Sequence, residues 1–491
     1  MNLEKAMSSG DDFIPESVQA IEKRFPRIEG ELKRRPDTFI VEEQTINGVR
    51  CTTGTSSDFP NAWNDQAPGD LVALTLVKRR HTTPSAIKSM LQLLGLSQND
   101  ASVEYAGLKD FKAITSQRVV IRSRKGRTLD YNAIVRCCMP DTGELYRGGS
   151  GIFIKDAVRT RKGLRKGLLQ GNNFDITIYV KGLTPAQLDE YIAPRVEYLS
   201  RRNGAIMIPN AFGRQRLGRR QNLFGVGYEF ILNGPEAGIK RFLTEVTDSE
   251  GDQAPAIRNR LAREWADAEQ KAQQSGTTVA QQVSNLHGML EILEEGGPNP
   301  GQRNFERLNM VIEHKIVQGL LQHLDYEKTL RALEDDFSLW VGAYQALFFN
   351  KVLGDVLDGR LTLDPCDTGD TNEGADGEEL IPLIMDEKRA RKFYAKYCPQ
   401  AVPERMDPMV RKIFLQPWNP KGRGPRRPLF VSVQEFEFER GKAERPDESA
   451  VRVKFRLRSG AYATTFLGIL FDIDSNHNNN GGNRSNRRDG N

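Results

Sequence analysis

Long apolar runs, cysteine pairs and histidine clusters are all missing from this sequence. No apolar stretch approaches the length of a membrane span, and the N-terminus, MNLEKAMSSGDDFIPES, has no apolar core like that of a signal peptide. We therefore expect a soluble, cytoplasmic protein. The five cysteines form no C-x-x-C pair, and the five histidines form no H-E-x-x-H pattern. Neither a disulfide framework nor a metal site is expected.

A large excess of charge is also lacking, since the 491 residues carry a formal net charge of only +5. The charges are unevenly spread, however. Residues 155–166, KDAVRTRKGLRK, contain six bases and one acid, and residues 411–427, RKIFLQPWNPKGRGPRR, contain six bases and no acid. Residues 364–379 contain seven acids and no base and read as a loop. Basic clusters on a nearly balanced chain indicate contact with a polyanion along these segments, although a solvated charged surface would have the same composition.

The apolar pattern predicts alternating strands and helices in the first part of the chain. In order, these are a strand at 70–79, a helix at 82–96, strands at 118–123 and 173–180, and a helix at 184–204. Thr83 and Thr184 are the expected N-caps of the two helices. Pro194 is expected to kink or split the second helix, because its ring disrupts a helix interior.

A charged, helix-rich block follows at 230–330, and an apolar, buried helix is expected at 337–357. Strand patterns return at 429–440 and 450–460. Strand-rich segments on both sides of a helical block are typical of one mixed α/β domain that has a second domain inserted into it.

The stretch YAGLKDFKAITSQRVVI, residues 105–121, places Asp110 where a turn meets a strand. Gly and Asp are common turn residues, so a solvated turn is the simple interpretation. Lys109 and Arg118 are close in sequence, however, and a neighbouring cation holds a carboxylate in its ionised form. An ionised aspartate can act as a nucleophile or a base without any cofactor.

Three further segments combine polar or basic residues with an aromatic ring. In GLLQGNNFDITI, residues 167–178, Asn172 can offer an amide to a base edge and Phe174 a ring for stacking. Alternatively, Phe174 is simply the first core residue of its strand. KRRPDTFIVEE, residues 33–43, leads from basic residues to an aromatic residue at a strand start, and SGAYATTF, residues 459–466, has small residues around Tyr462.

Together, these segments resemble the TruD family of pseudouridine synthases. The stretch around Asp110 is similar to that family's G-[LQ]-K-D-x-x-A-[VI]-T-x-Q block, and GNNF is similar to its G-N-x-F block. Four further segments match family blocks in the family's order: PDTFIVEE, PNAFGRQRLG, AYQALFFNKVL and FRLRSGAYATTF. The resemblance covers nearly the whole chain, from about residue 33 to about residue 470.

The sequence departs from the family pattern at several positions outside the Asp, Asn and Phe that the family uses. These positions are Thr38, Ala211, Leu217, Arg458 and Ala461. Under the resemblance, they bear on the expected details of RNA contact and not on the expected reaction. The helices expected around 250–300 have no counterpart in the resemblance.

The resemblance implies an enzyme that isomerises uridine to pseudouridine in RNA, most typically uridine 13 of tRNA. Asp110 is the implied nucleophile, acting on a base that has left the RNA stack. The implied substrate-binding residues are Asn172, Phe174, Phe39, Tyr462 and Lys33. The last of these could pair with Asp110 or with a phosphate. No metal, ATP or other cofactor is implied, and no membrane partner. We also expect Arg161, Lys162, Arg165 and Lys166 to hold the RNA backbone, and the protein to be a monomer.

The implied fold is α+β, with a mixed, mostly antiparallel catalytic sheet interrupted by a helix-rich α/β TRUD domain. In order, the expected parts are a loose, polar lead-in at 1–27, the catalytic domain at 28–203 and 430–474, the insertion at 204–429, and a disordered, low-complexity tail at 475–491. Two other functions stay open at this point. One is a non-catalytic RNA-binding factor on the same fold, and the other is an aspartate-dependent hydrolase of nucleosides or glycosides.

Overall fold

The structure is a computed structural model. It describes residues 14–59, 69–124, 128–138, 150–200, 204–218, 220–296, 301–364, 367, 380–383, 387–401, 406–415 and 426–473. These residues fall into two compact units. The sheet unit lies within Glu22–Ile208 and Val431–Asn480, and the helical unit lies within Met1–Ile21 and Pro209–Phe430.

A mixed sheet of ten strands organises the sheet unit. Its strands are β1 Gly30–Glu31, β2 Phe39–Thr45, β3 Leu71–Arg79, β4 Ala101–Tyr105, β5 Ile114–Ser123, β6 Gly151–Thr160, β7 Leu169–Lys181, β8 Ile206–Pro209, β11 Phe430–Arg440 and β12 Glu448–Arg458. Two further strands, β9 Leu380–Pro382 and β10 Arg426–Pro428, form a separate antiparallel pair. The order is β6-β3-β5-β2-β7-β12-β11-β8, with β1 beside β7 and β4 beside β5. Strands β2 and β5 run parallel, whereas β3–β5, β2–β7 and β7–β12 are antiparallel. The expected α+β fold with a mostly antiparallel sheet is confirmed.

Two helices of the sheet unit cover the part of the sheet formed by β3, β5 and β6. The helices of this unit are Thr83–Leu93, Tyr131–Cys137, Pro185–Leu199 and Ala463–Leu470. The first two pack on β3, β5 and β6, where Leu74, Leu76 and Met90 belong to one buried apolar cluster. The burial of these side chains follows from the period-2 pattern of β3 and the 3.6-residue pattern of the helix.

The N-cap of the first helix and the C-terminal end of the helix after Thr184 differ from the sequence-based expectation. Thr82, not Thr83, caps the first helix, because its side chain accepts a hydrogen bond from the Ser85 backbone N–H. Thr184 caps the helix Pro185–Leu199 as expected, in a capping box with Gln187. That helix is not split, since it continues through Pro194, and it ends at Leu199.

The strand predictions agree with the structure at 70–79, 173–180, 429–440 and 450–460, within a few residues at each end. The prediction at 118–123 captures the second half of β5 only. Within the expected lead-in at 1–27, Glu16–Lys23 forms a helix, which the sequence analysis did not predict. The tail at 475–491 lies outside the described residues.

The helical unit has its own aromatic core. Its helices are Leu223–Asn233, Pro235–Thr244, Ala254–Ser275, Val283–Glu294, Asn304–Arg307, Val311–His323, Tyr326–Ala332, Glu334–Leu357, Glu387–Tyr397 and Pro408–Phe414. Trp340, on the buried helix that the sequence predicts at 337–357, contacts the rings of Phe230, Phe242 and Phe337. Of the acidic run at 364–379 and the basic run at 411–427, most residues lie outside the described ranges.

Candidate active site

The Asp110 turn, residues 106–112 between β4 and β5, is held from its inner side by a buried lysine. Lys78 is 0% exposed. Its Nζ donates to the backbone carbonyls of Asp110 at 2.6 Å, His81 at 2.8 Å and Lys109 at 3.3 Å. Burial lowers the pKa of Lys78 to about 8, with Asp110 opposing this shift and Lys109 adding to it. The backbone of the turn therefore has a fixed path around one ammonium group.

Lys109 points into the protein although it is the neighbour of an exposed aspartate. Its Nζ donates to Glu43 Oε2 and to Asn172 Oδ1, both at 2.8 Å. A lysine ammonium has donors only, so it orients the Asn172 amide with its oxygen toward Lys109. The amide N–H groups of Asn172 are then left to donate to a ligand.

The carboxylate of Asp110 is 45% exposed and is paired with Lys33. The two groups lie 2.7 Å apart, from Lys33 Nζ to Asp110 Oδ1. Lys33 Nζ also lies over the Phe39 ring, 4.2 Å from its centroid, a favourable cation–π position. Of the residues expected at the site, the structure thus brings Lys33, Asp110 and Phe39 together.

Arg34 fixes the segment that carries Lys33. Its guanidinium binds the Glu448 carboxylate with two hydrogen bonds, at 2.9 and 2.8 Å, and lies over the Tyr179 ring at 3.8 Å. The hydrogen bond from Arg34 lowers the pKa of Glu448 to about 2. Lys33 itself has a φ of 55°, a left-handed conformation that a bulky residue adopts rarely. The Arg34–Glu448 pair holds the chain at this position.

Strand register places the remaining residues on one face of the sheet. Directly opposite residues of neighbouring strands point to the same side. Lys78 lies opposite Thr115, Thr115 lies beside Val41, and Val41 lies opposite Phe174. Asn172 lies opposite Glu43 and Phe39 opposite Ile176 on the same strands. The Asp110 turn and the expected base-binding residues therefore share this face.

Phe174 forms part of the floor of this face rather than an exposed wall. It is 8% exposed, and its ring stacks on Phe455 with centroids 5.1 Å apart and planes at 19°. Phe455 in turn meets Phe466 edge-on at 5.0 Å. Phe466 lies on the helix Ala463–Leu470, and half-buried Tyr462 immediately precedes that helix. Tyr462 is thus linked to the floor through its own helix.

The basic loop, residues 161–166 between β6 and β7, is tied to the Asp110 turn. Gly167 N donates to Ala106 O at 2.7 Å, and Leu164 N donates to Glu104 Oε2 at 2.8 Å. The four expected RNA-contacting side chains are exposed: Arg161, Lys162, Arg165 and Lys166. Lys155, in the same basic run, is buried and pairs with Asp58 at 2.7 Å, so it does not face a polyanion.

Lys78, Glu43 and the inward direction of Lys109 are features of the candidate site that sequence reasoning missed. A lysine near the end of an apolar strand, in LVALTLVKR, was the available signal for Lys78. Within the described ranges, there is no group of three or more His, Cys, Asp or Glu that could hold a metal ion. No helix among those residues is long and apolar enough to cross a membrane.

Comparison with known proteins identifies relatives over nearly the full chain. The family model described as "tRNA pseudouridine synthase D (TruD)" matches residues 20–397. The chain is 24% identical over 455 residues to the "Probable tRNA pseudouridine synthase D" of Methanococcus vannielii, covering 92% of this chain and 97% of that one. It is also 24% identical over 471 residues to the "tRNA pseudouridine synthase D" of a Geobacter species, with 91% and 98% coverage.

A solved structure supports the same fold. The crystal structure of the "Putative tRNA pseudouridine synthase D (TruD) from Methanosarcina mazei" superposes with a TM-score of 0.53, at 17% sequence identity. The match covers 94% of this chain and 98% of that chain.

Proposed function

The chain belongs to the TruD family of tRNA pseudouridine synthases, and from this premise we propose that it isomerises uridine to pseudouridine in tRNA with Asp110 as the nucleophile. Uridine 13 is the position we propose. The observation that carries the proposal is the partly exposed Asp110 carboxylate, which a buried lysine holds through the backbone and Lys33 pairs through the side chain.

The chemistry needs one ionised acid and a bound, rotated base. The target uridine leaves the RNA stack and enters the site. The N1–C1′ bond breaks, the uracil turns, and a C5–C1′ bond forms while the hydrogen at C5 is released and N1 gains a proton. As the nucleophile, Asp110 forms a bond to the nucleotide before the uracil turns, and this bond breaks again before pseudouridine is released. The attack requires the ionised form of Asp110.

Asn172 orients the uracil, and Lys33 orients the Asp110 carboxylate. With its oxygen engaged by Lys109, Asn172 donates an N–H to a uracil carbonyl oxygen. Lys33 keeps the Asp110 oxygen directed and adds a positive charge where a phosphate can approach. The apolar floor that contains Phe174 excludes water below the base.

The test follows tritium release from tRNA transcribed with C5-tritiated uridine. Wild-type protein should release label, whereas Asp110→Asn should bind the tRNA and lose the rate by about 10²–10⁴-fold, the typical contribution of a positioned ionisable group. Asp189→Asn is the matched control, because Asp189 forms an exposed pair with Arg440 and its loss should leave the rate unchanged.

The proposed position is tested with a second transcript. Replacement of uridine 13 by cytidine should abolish release from that tRNA. Release that persists would move the target to another uridine. A rate for purified Asp110→Asn close to that of the wild type would overturn the assignment of the nucleophile. Wild-type protein that binds the tRNA and releases no tritium would favour a non-catalytic RNA-binding factor.

A further inference from the structure

Two large apolar side chains flank Asp110 and point into solvent. Leu108 is 69% exposed and Phe111 is 50% exposed, whereas Lys109 between them is only 9% exposed. The usual arrangement is the reverse, because lysine is normally solvated and Leu and Phe are normally buried. Resting on the proposed function, we infer that Leu108 and Phe111 contact the nucleobases next to the target uridine and take its place in the RNA stack.

The backbone of the turn does not leave these side chains free to fold inward. Lys109 N donates to Thr83 Oγ1 at 3.0 Å, and Gln117 Nε2 donates to Gly107 O at 3.1 Å. With Lys78 bound to the Asp110 carbonyl, the backbone of the turn is held at Gly107, Lys109 and Asp110. Leu108 and Phe111 are therefore presented outward by a rigid support.

The charge around the turn indicates which partner meets these side chains. The basic loop carries Arg161, Lys162, Arg165 and Lys166, and the next residue, Gly167, donates a hydrogen bond to Ala106 of the same turn. Lys112, next to Phe111, is also exposed. Cations of this kind neutralise phosphates, and a backbone held there brings its bases to an apolar surface beside Asp110. RNA is the partner that supplies both groups.

The rotation of a uridine out of the stack creates the need for such a surface. Removal of one base leaves its neighbours without a stacking partner, and proteins that distort nucleic acids fill such gaps with apolar side chains. Phe111 offers a ring for this purpose, and rings that stack on single-stranded bases act on any base sequence. Leu108 offers a second exposed apolar side chain two residues before Asp110.

The test is a double-mutant cycle in which protein variants are combined with changes in the tRNA. Phe111→Ala and Leu108→Ala are assayed by tritium release on intact tRNA and on tRNA with abasic spacers in place of the two nucleotides that flank the target. On intact tRNA, Phe111→Ala should lower kcat/KM by about 5- to 150-fold, the range for loss of one base stack, and Phe111→Trp should keep the wild-type value. On the abasic tRNA, wild type and Phe111→Ala should be equally slow.

The control is Leu93→Ala, since Leu93 is a 48% exposed apolar residue elsewhere in the sheet unit and should behave as wild type on both substrates. Wild-type kcat/KM for Phe111→Ala on intact tRNA would overturn the inference, as would the same fold-loss on both RNAs. Those results leave the proposed function intact, which fails separately if wild-type protein releases no label.

Discussion

Lys78 and Lys109 lie on the inner side of the Asp110 turn, where lysine is an unusual residue because burial disfavours its charge. Lys109 is neutralised by Glu43 at 2.8 Å, whereas Lys78 is bound by backbone carbonyls. Lys78 is the group that can release a proton near neutral pH while the turn keeps its other hydrogen bonds.

We predict that the rate falls as the pH rises through about 8, the pKa to which burial lowers Lys78. The neutral amine has one N–H fewer to hold the carbonyls, so Asp110 is held less firmly. In Lys78→Arg, the guanidinium stays charged, and the fall should move to higher pH. Single-turnover rates from pH 6 to pH 10 provide the measurement.

Stability should change in the opposite direction in this window. The folded pKa of Lys78 is about 8 and lies below the ordinary value of 10.5. Between these values the unfolded chain binds more protons, so Lys78 makes the free energy of unfolding rise with pH. Asp110, Lys109 and His81 are the charged or titratable groups near it.

The prediction for the rate has its own test. Identical pH–rate profiles for wild type and Lys78→Arg would contradict a role for this lysine in holding the turn.

Phe174 allows packing and base binding to be separated. Phe174→Ala should lower the free energy of unfolding by about 3–5 kcal/mol, because it opens a cavity against Phe455. Phe174→Leu keeps most of the volume and should cost less than about 1.5 kcal/mol. If the Phe174 ring contacts uracil, Phe174→Leu should lose activity although the protein stays folded, because leucine has no ring. Thermal melts beside tritium-release assays distinguish the two roles, and full activity of Phe174→Leu would limit Phe174 to packing.

At the scale of elements, alternation and capping residues predicted most strands and helices. Strands β7, β11 and β12 have a clear period of two, and the capping box of Thr184 and Gln187 is local in sequence. Neighbouring threonines share the same preference, so the choice of Thr82 over Thr83 needed the tertiary structure.

The predicted site depended on the family resemblance more than on periodicity. Lys33 and Asp110 are 77 residues apart in sequence, and only strand register brings their segments together. The positions of Glu43 and Lys78 relative to Asn172 and Asp110 follow from long-range pairing in the same way. Local propensity carries no information on such contacts, which explains why these residues were missed.

The basic loop is an element whose role can be tested by salt dependence. Replacing Arg161, Lys162, Arg165 and Lys166 with alanine should weaken tRNA binding and reduce the slope of log affinity against log salt by at most about 0.9 per lost phosphate contact. The rate at saturating tRNA should stay close to that of wild type, because backbone contacts position the RNA.

Equal removal of charge elsewhere provides the control for the loop. Arg260, Arg263, Lys271 and Lys315 are exposed or half-exposed bases on helices of the helical unit, and their replacement by alanine should leave the slope unchanged. An unchanged slope in the loop variant would remove residues 161–166 from the RNA path.

At the scale of the whole molecule, each unit contains buried apolar side chains of its own. Leu261 is fully buried in the helical unit and Ile178 in the sheet unit. We propose that the two units are separate domains, with the helical one inserted into the catalytic one near 204–429, and that the protein is a monomer. Domains of this size with their own cores can unfold independently.

We therefore expect two calorimetric transitions, each altered by substitutions in only one unit. Leu261→Ala and Ile178→Ala each remove a buried aliphatic side chain, which costs about 2–5 kcal/mol, and each should lower the midpoint of a different transition. For a monomer, both midpoints should be independent of protein concentration. A single transition that both variants lower equally would show one cooperative domain, and midpoints that rise with concentration would show association.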